Sequence, residues 1–200
     1  PSSVTELCDN IFSQCRSLKQ IEIPPLTTSI GINCFRDCSS LTQIDIPSYV
    51  TDIGNNCFSG CSSLINVTIP SSVTSIGEYA FEECSSLSRV TIPFSVTELC
   101  DYTFSDCSSL TAVIFENNSS LSSIGSCAFR KCKSLKQLQI PSSVKKIGSY
   151  AFSGCSSLEQ ITIPSSVTKI ETCTFSQCTA LAQVTFEEPS SLESIEYYAF

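Results

Sequence analysis

Apolar residues recur along this chain at fixed places in a 23-residue period, not with the spacing of a helix. Pro1, Pro24, Pro47, Pro70 and Pro93 open successive units. Two extra residues enter around Glu116–Asn118, the register resumes at Asn118, Pro141 and Pro164, takes two more near Glu187–Glu188, and resumes at Pro189. The unit reads P-S-S-V-T-x-I-G-x-x-A/C-F-x-x-C-S-S-L-x-x-I-x-I, with positions numbered as columns 1 to 23. Eight units are complete and a ninth stops at Phe200. Column 12 is Phe in all nine, while column 15 is Cys and column 18 Leu in all eight complete units. Columns 21 and 23 are aliphatic or Phe and flank a mostly polar column 22, the period of a half-buried strand.

One unit of this size cannot bury its own apolar side. Stacked units share a continuous core, so the pattern predicts a solenoid. One short parallel strand is expected over columns 18–23 of each coil, ended by the Pro at column 1, which has no N–H for the ladder. Gly at column 8 (Gly31, Gly54, Gly77, Gly125, Gly148) is expected to serve a bend with unusual dihedrals. The segment before the column-15 Cys is too short for a full helix and is expected to form one irregular or 3₁₀-like turn. The expected fold is an α/β repeat solenoid of about nine 23-residue coils, roughly 40 Å long at the spacing of a sheet. It forms one domain over residues 1–200, read as a fragment of a longer chain with no terminal caps.

The run from Leu64 through Ile69-Pro70-Ser71-Ser72-Val73-Thr74-Ser75-Ile76-Gly77 to Ala80-Phe81 and Cys84 resembles the BspA-like (Treponema pallidum-type) leucine-rich repeats. The likeness recurs over all 200 residues. Departures are local: Leu26 sits one place early, and Phe115-Glu116 and Phe186-Glu187 replace the usual I-P. The resemblance implies a leucine-rich repeat fold and no catalysis. It also implies a surface module binding host matrix proteins or other microbes.

Composition changes the chemistry more than the fold. There is no His, which removes Ser-His-Asp and Cys-His catalysis and imidazole metal sites. There is no Met, so the sequence reads as an internal or processed piece, and no secretory signal is visible. Net charge is −8, which argues against nucleic acid as the main partner. No run resembles a membrane-spanning helix. The serine pairs recur at columns 2–3 and 16–17, so they are turn chemistry and not a unique nucleophile. With no phosphate loop in the sequence, neither enzyme activity nor a cofactor is expected.

The 14 Cys raise three readings. Cys15, Cys38, Cys61, Cys84, Cys107, Cys132, Cys155 and Cys178 form column 15; Cys8, Cys34, Cys57, Cys100, Cys127 and Cys173 lie in columns 8, 10 and 11. The C-x-x-x-C pairs Cys34/Cys38 and Cys57/Cys61 could suggest a metal site, and the count alone a disulfide framework. Core packing is favoured, because a residue repeated once per coil is a core column and Cys is a small, well-buried hydrophobe. Parallel Cβ vectors about 4.8 Å apart also suit a disulfide poorly.

Candidate binding residues lie on the exposed strand face. Column 20 carries Gln20, Gln43, Asn66, Arg89, Ala112, Gln137, Gln160 and Gln183, and Ile114 interrupts the polar column 22. Such an array suits either a protein-binding face or an amide ladder satisfied between coils. A basic patch of Arg130, Lys131, Lys133, Lys136, Lys145 and Lys146 follows an acidic stretch, and is either a steering surface or a solvated one. Tyr79, Tyr102, Tyr150 and Tyr198 share column 10 as a cap on the Phe column or as interface anchors. Asn66 and Asn118 sit in glycosylation acceptor patterns. Two functions remain open. One is a cell-surface adhesion or recognition module, which the resemblance favours. The other is an intracellular, cytoplasmic structural component of a larger assembly such as the cytoskeleton, which the many free thiols favour. Either way the partner is a protein, with neighbouring repeats or assembly subunits possible.

Overall fold

The computed structural model describes residues 3–200; Pro1, which opens the first unit, lies outside them. Short parallel strands alternate along the chain. They are β1 (Glu6–Leu7), β2 (Ser29–Ile30), β3 (Gln43–Asp45), β4 (Asp52–Ile53), β5 (Asn66–Thr68), β6 (Ser75–Ile76), β7 (Arg89–Ile92) and β8 (Glu98–Leu99). Then follow β9 (Ala112–Phe115), β10 (Ser123–Ile124), β11 (Gln137–Gln139), β12 (Lys146–Ile147), β13 (Gln160–Ile163), β14 (Lys169–Ile170), β15 (Gln183–Phe186) and β16 (Ser194–Ile195).

The ladder expected over columns 18–23 is present but shorter, beginning at column 20. Gln43, Ile44 and Asp45 pair with Asn66, Val67 and Thr68 of the next coil, with the middle residue buried and its neighbours exposed. The first coil is the exception: its column 20–23 segment forms no strand. A second ladder at columns 6–7 was not expected. Ser29 and Ile30 pair with Asp52 and Ile53, and the column-7 Ile or Leu points into the core. Two residues are too few for alternation to be visible in a sequence, which is why this strand escapes a periodicity argument.

The α/β label needs correction, because among the described residues there is no helix. The segment over columns 8–15 is a string of turns, with left-handed residues at columns 10 and 14 of each coil that reaches them. Tyr79 has φ 57°, Glu83 57°, Tyr102 58° and Asp106 59°. Positive φ at the third position is what type II turns require, and it interrupts a helix every fourth residue. The N–H groups of columns 10, 12 and 14 donate to the next coil: Tyr79 to Asp101 O (3.1 Å), Phe81 to Thr103 O (2.9 Å) and Glu83 to Ser105 O (2.9 Å). A helix would satisfy these donors within itself. The count of nine coils is also corrected: the ninth unit contributes only β16 and one turn to Phe200, leaving about eight turns.

The column-8 glycines serve a different end from the one expected. None has a positive φ; the left-handed glycines are Gly60 and Gly154, at column 14. A Cβ on Gly148 would stand 2.6 Å from Ser126 N and 2.8 Å from Gly125 C of the coil before. Column 8 is where successive backbones press together, and Gly is there to let them.

The core is a set of one-residue columns. Phe rings from Phe12 to Phe200 stack in parallel, with centroids 5.2–5.6 Å apart and planes within 11° of one another. The spacing exceeds the coil rise of about 4.8 Å, so the rings lie offset, the arrangement aromatic quadrupoles favour.

Candidate functional site

Away from the strand face, many side chains bond the neighbouring coil. Along the turns and the short ladder, repeated hydroxyls bond carbonyls of the coil before. Thr28 Oγ1 donates to Thr5 O at 3.0 Å, Thr51 to Thr28 O at 3.3 Å, Ser72 to Val50 O at 2.6 Å and Ser95 to Val73 O at 2.5 Å.

Column 15 does the same in the core. Each Cys after the first donates its thiol to the Phe carbonyl of the preceding coil: Cys84 Sγ lies 3.2 Å from Phe58 O, Cys107 3.1 Å from Phe81 O and Cys155 3.1 Å from Phe129 O. Cys is thus a buried apolar side chain with one weak donor, aimed at a carbonyl that would otherwise have only its own turn as partner. Burial keeps these thiols protonated: it pushes Cys38 up to about 11 and Cys84 well above the ordinary value, and in column 11 it pushes Cys34 to about 12. A thiolate is what a metal needs. Cys34, Cys38, Cys57 and Cys61 are all buried, and among the described residues no group of three or more His, Cys, Asp or Glu could hold a metal ion. All 14 cysteines are unbridged; Cys8 and Cys15 are exposed.

The strand face has no such closure. Gln20, Gln43, Asn66, Arg89, Gln137, Gln160 and Gln183 are exposed, Ala112 is half-buried and Ile114 is 40% exposed. Among the described residues no column-20 amide bonds its neighbour on the next coil. The one bond found is within a coil, from Gln183 Nε2 to Thr185 Oγ1 at 3.3 Å. Gln183 apart, the amides therefore face solvent without a hydrogen-bond partner among the described residues.

The face is divided by a seam. β3, β5, β7 and β9 form one sheet and β11, β13 and β15 another, so pairing stops between the fifth and sixth coils. The cause is the insertion after Phe115. Phe and Glu replace Ile and Pro there, and again after Phe186. With no Pro to end it, each strand runs one residue further: Ile92 pairs with Phe115 and Ile163 with Phe186. The inserted Glu then folds back in both places. Glu116 Oε2 accepts from Phe94 N at 3.1 Å and Glu187 Oε2 from Ser165 N at 3.4 Å. The dislocation also orphans a hydroxyl: Ser143 Oγ, buried and unpartnered, lacks the column-4 carbonyl that Ser72 and Ser95 reach.

Two hollows open at the seam. One, of about 600 Å³, is lined by Arg89, Ala112, Ile114, Gln137, Gln160 and Glu187 among others; the second, of about 590 Å³, lies at the adjoining corner. The structure thus brings together the residues that interrupt the polar pattern. Glu116 and Glu187 are the lining residues that sequence reasoning left without a role, although the replacement of I-P was visible.

The basic residues are not brought together. Arg130 and Lys131 sit on the turns, Lys133 and Lys136 lead into the strand face, and Lys145 and Lys146 lie on the short ladder. Lys131 is paired with Asp106 of the coil before, at 3.5 Å. Tyr79 and Tyr102 stack on each other, centroids 4.6 Å apart, in a ladder of their own. Asn66 is exposed on β5, and Asn118 is exposed in the inserted loop with φ 59°.

With this geometry in view, the comparisons are specific. Six copies of the family described as BspA type leucine rich repeat region match over residues 1–111 and 101–200. The chain belongs to the BspA-type leucine-rich repeat family. Among solved structures, this BspA-type chain is similar to a leucine-rich cell surface protein of Faecalibacterium prausnitzii (31% identity, TM-score 0.63), covering 96% of this chain and 62% of that one. It is similar to a leucine-rich repeat protein of Bacteroides ovatus (25% identity, TM-score 0.61), covering 98% of this chain and 67% of that one. It also resembles the T. pallidum leucine-rich repeat protein (27% identity, TM-score 0.56), covering 89% of this chain and 70% of that one. The BspA-type chain spans about 62% of the length of the Faecalibacterium protein. No curated protein matches it. Among the described residues no helix is long and apolar enough to cross a membrane.

Proposed function

We propose that this BspA-type solenoid is a non-enzymatic recognition module that binds a protein partner on its strand face, in the manner of a surface adhesion domain. The observation that carries the reading is the contrast between faces. Hydroxyls and thiols elsewhere bond the neighbouring coil, whereas among the described residues the side-chain amides of Gln43, Asn66, Gln137 and Gln160 have no hydrogen-bond partner. Such amides, held on a stacked sheet, bind without first being ordered, which lowers the entropic cost of association. The name of the Faecalibacterium relative, a cell surface protein, supports the adhesion part.

The test is the double substitution Arg89→Glu with Ile114→Asp, which places two carboxylates at the centre of the face. Retention of the native partner is expected to fall at least about tenfold. Undiminished retention would shift the site to the lysines of the short ladder.

A second reading, an intracellular structural rod, is favoured by one observation: 14 unbridged thiols in 200 residues. Protein isolated from its native cells with its exposed Cys8 and Cys15 oxidised, or with a glycan on Asn118, would eliminate it.

A further inference from the structure

The corner of the strand face at the seam has a shape and charge that the array of amides does not explain. A hollow of about 590 Å³ lies there, with Ile114, Ile140 and Pro141 in its floor and walls and Glu116 and Glu187 on its rim. Ile114 is 40% exposed. No Lys or Arg lines the hollow, and among the described residues neither Glu116 nor Glu187 is in an ion pair. Each of these carboxylates commits one oxygen to a backbone N–H, at Phe94 and Ser165, and has its other oxygen free. The two lie in equivalent positions three coils apart, about 14 Å at the spacing of parallel strands.

We propose that this hollow takes an extended segment of a protein partner carrying the pattern basic–x–apolar–x–basic. This deepens the strand-face reading and rests on it. An extended chain advances about 3.3 Å per residue, so residues i and i+4 stand about 13 Å apart, matching the span from Glu116 to Glu187. Side chains at i, i+2 and i+4 point the same way. When the outer two meet the carboxylates, the middle one falls between them, over Ile140 and Pro141. A single basic residue reaches one rim only, and a helical segment of five residues spans about 6 Å, too short for both.

Three acetylated, amidated peptides test this: Lys-Thr-Leu-Thr-Lys, its counterpart with Glu at both ends, and its counterpart with Gly in the middle. Each is titrated into the isotope-labelled 200-residue chain and followed by amide chemical shifts. The first is expected to bind about tenfold more tightly than either of the others, with shifts at Ile114, Asn117 and Gln139. In the Glu116→Lys, Glu187→Lys variant the preference reverses toward the acidic peptide. The Phe35 and Phe58 amide shifts of the free variant, in the buried core away from the hollow, report whether the fold is kept. Equal affinity for the three peptides, no binding, or a preference that survives the double charge reversal overturns the proposal. Photo-crosslinkers at Gln43 and Gln183 separate the two levels. Partner adducts from those positions without peptide binding remove the hollow and keep the strand face; adducts from neither remove both.

Discussion

At the scale of single residues, most of this chain is dictated by its neighbour one coil away. Phe104 is buried completely between Phe81 and Phe129. Phe104→Ala therefore removes a ring from the middle of a stack that cannot close up, because its coil spacing is fixed by backbone hydrogen bonds. The expected cost is about 3–5 kcal/mol, read by chemical denaturation. Gly148→Ala adds one methyl group where the next backbone atoms lie 2.6–2.9 Å away, and is expected to cost about 1–3 kcal/mol by the same measurement. The thiols give a pH dependence. Cys38 and Cys178 are raised from 9.0 to about 11 and Cys34 to about 12, chiefly by burial. The unfolded chain therefore releases these protons first, at about pH 9, while the folded chain holds them. Stability is full below pH 9 and falls as pH rises through 11 to 12. A melting temperature that held constant from pH 8 to 11 would contradict this account of the thiol columns.

At the scale of elements, the core columns were legible in the sequence and the ladders only partly. Phe, Cys and Leu repeat without exception, so their burial follows from stacking alone. The short ladder at columns 6–7 did not show, because two residues carry no period. The left-handed columns 10 and 14 were hidden for another reason. They hold Asn, Asp or Gly, which favour positive φ, at Asn10, Asn33, Asn56, Asp37, Gly60, Asp106 and Gly154, but Tyr, Cys, Lys, Glu or Gln in the other coils mask the pattern, and the hydrogen bonds to the next coil hold them there. The role of Gly at column 8 was misread because the sequence shows that Cβ is absent but not whether dihedral or contact demands it. Its exceptions are informative. Cys100 replaces Gly, and there the short ladder breaks between β6 and β8; Glu171 replaces it again, and β12 and β14 keep a single paired position. In both coils the column-11 Thr hydroxyl adds a second bond to the column-8 carbonyl, Thr103 Oγ1 to Cys100 O and Thr174 Oγ1 to Glu171 O, each at 2.7 Å. At Glu196 the short ladder keeps both its pairs, Lys169 with Ser194 and Ile170 with Ile195. Amide exchange is expected to be faster at Gln137–Gln139, across the unpaired seam, than at Ala112–Phe115, which is paired over four residues. Equal protection in the two strands would contradict a break in the long ladder.

At the scale of the whole molecule, a stack whose turn hydroxyls and core thiols bond the neighbouring coil leaves the strand-face amides for recognition. The candidate residues at its centre were readable as breaks in a polar pattern: Arg89, Ala112 and Ile114. What the sequence did not disclose was that two insertions, 71 residues apart, bracket a hollow beside them. The six basic residues illustrate the converse. Proximity along the chain placed them together, but a coil of 23 residues turns through a full circuit, and they end on different sides.

The central claim is that the partner meets the strand face, and site-specific photo-crosslinking in the native cells tests it most directly. A benzophenone side chain is placed either at Gln137, on the strand face, or at Lys145, beside the short ladder; both positions are exposed. The account predicts a discrete partner adduct from Gln137 and none from Lys145. An adduct from Lys145 with none from Gln137 would contradict it.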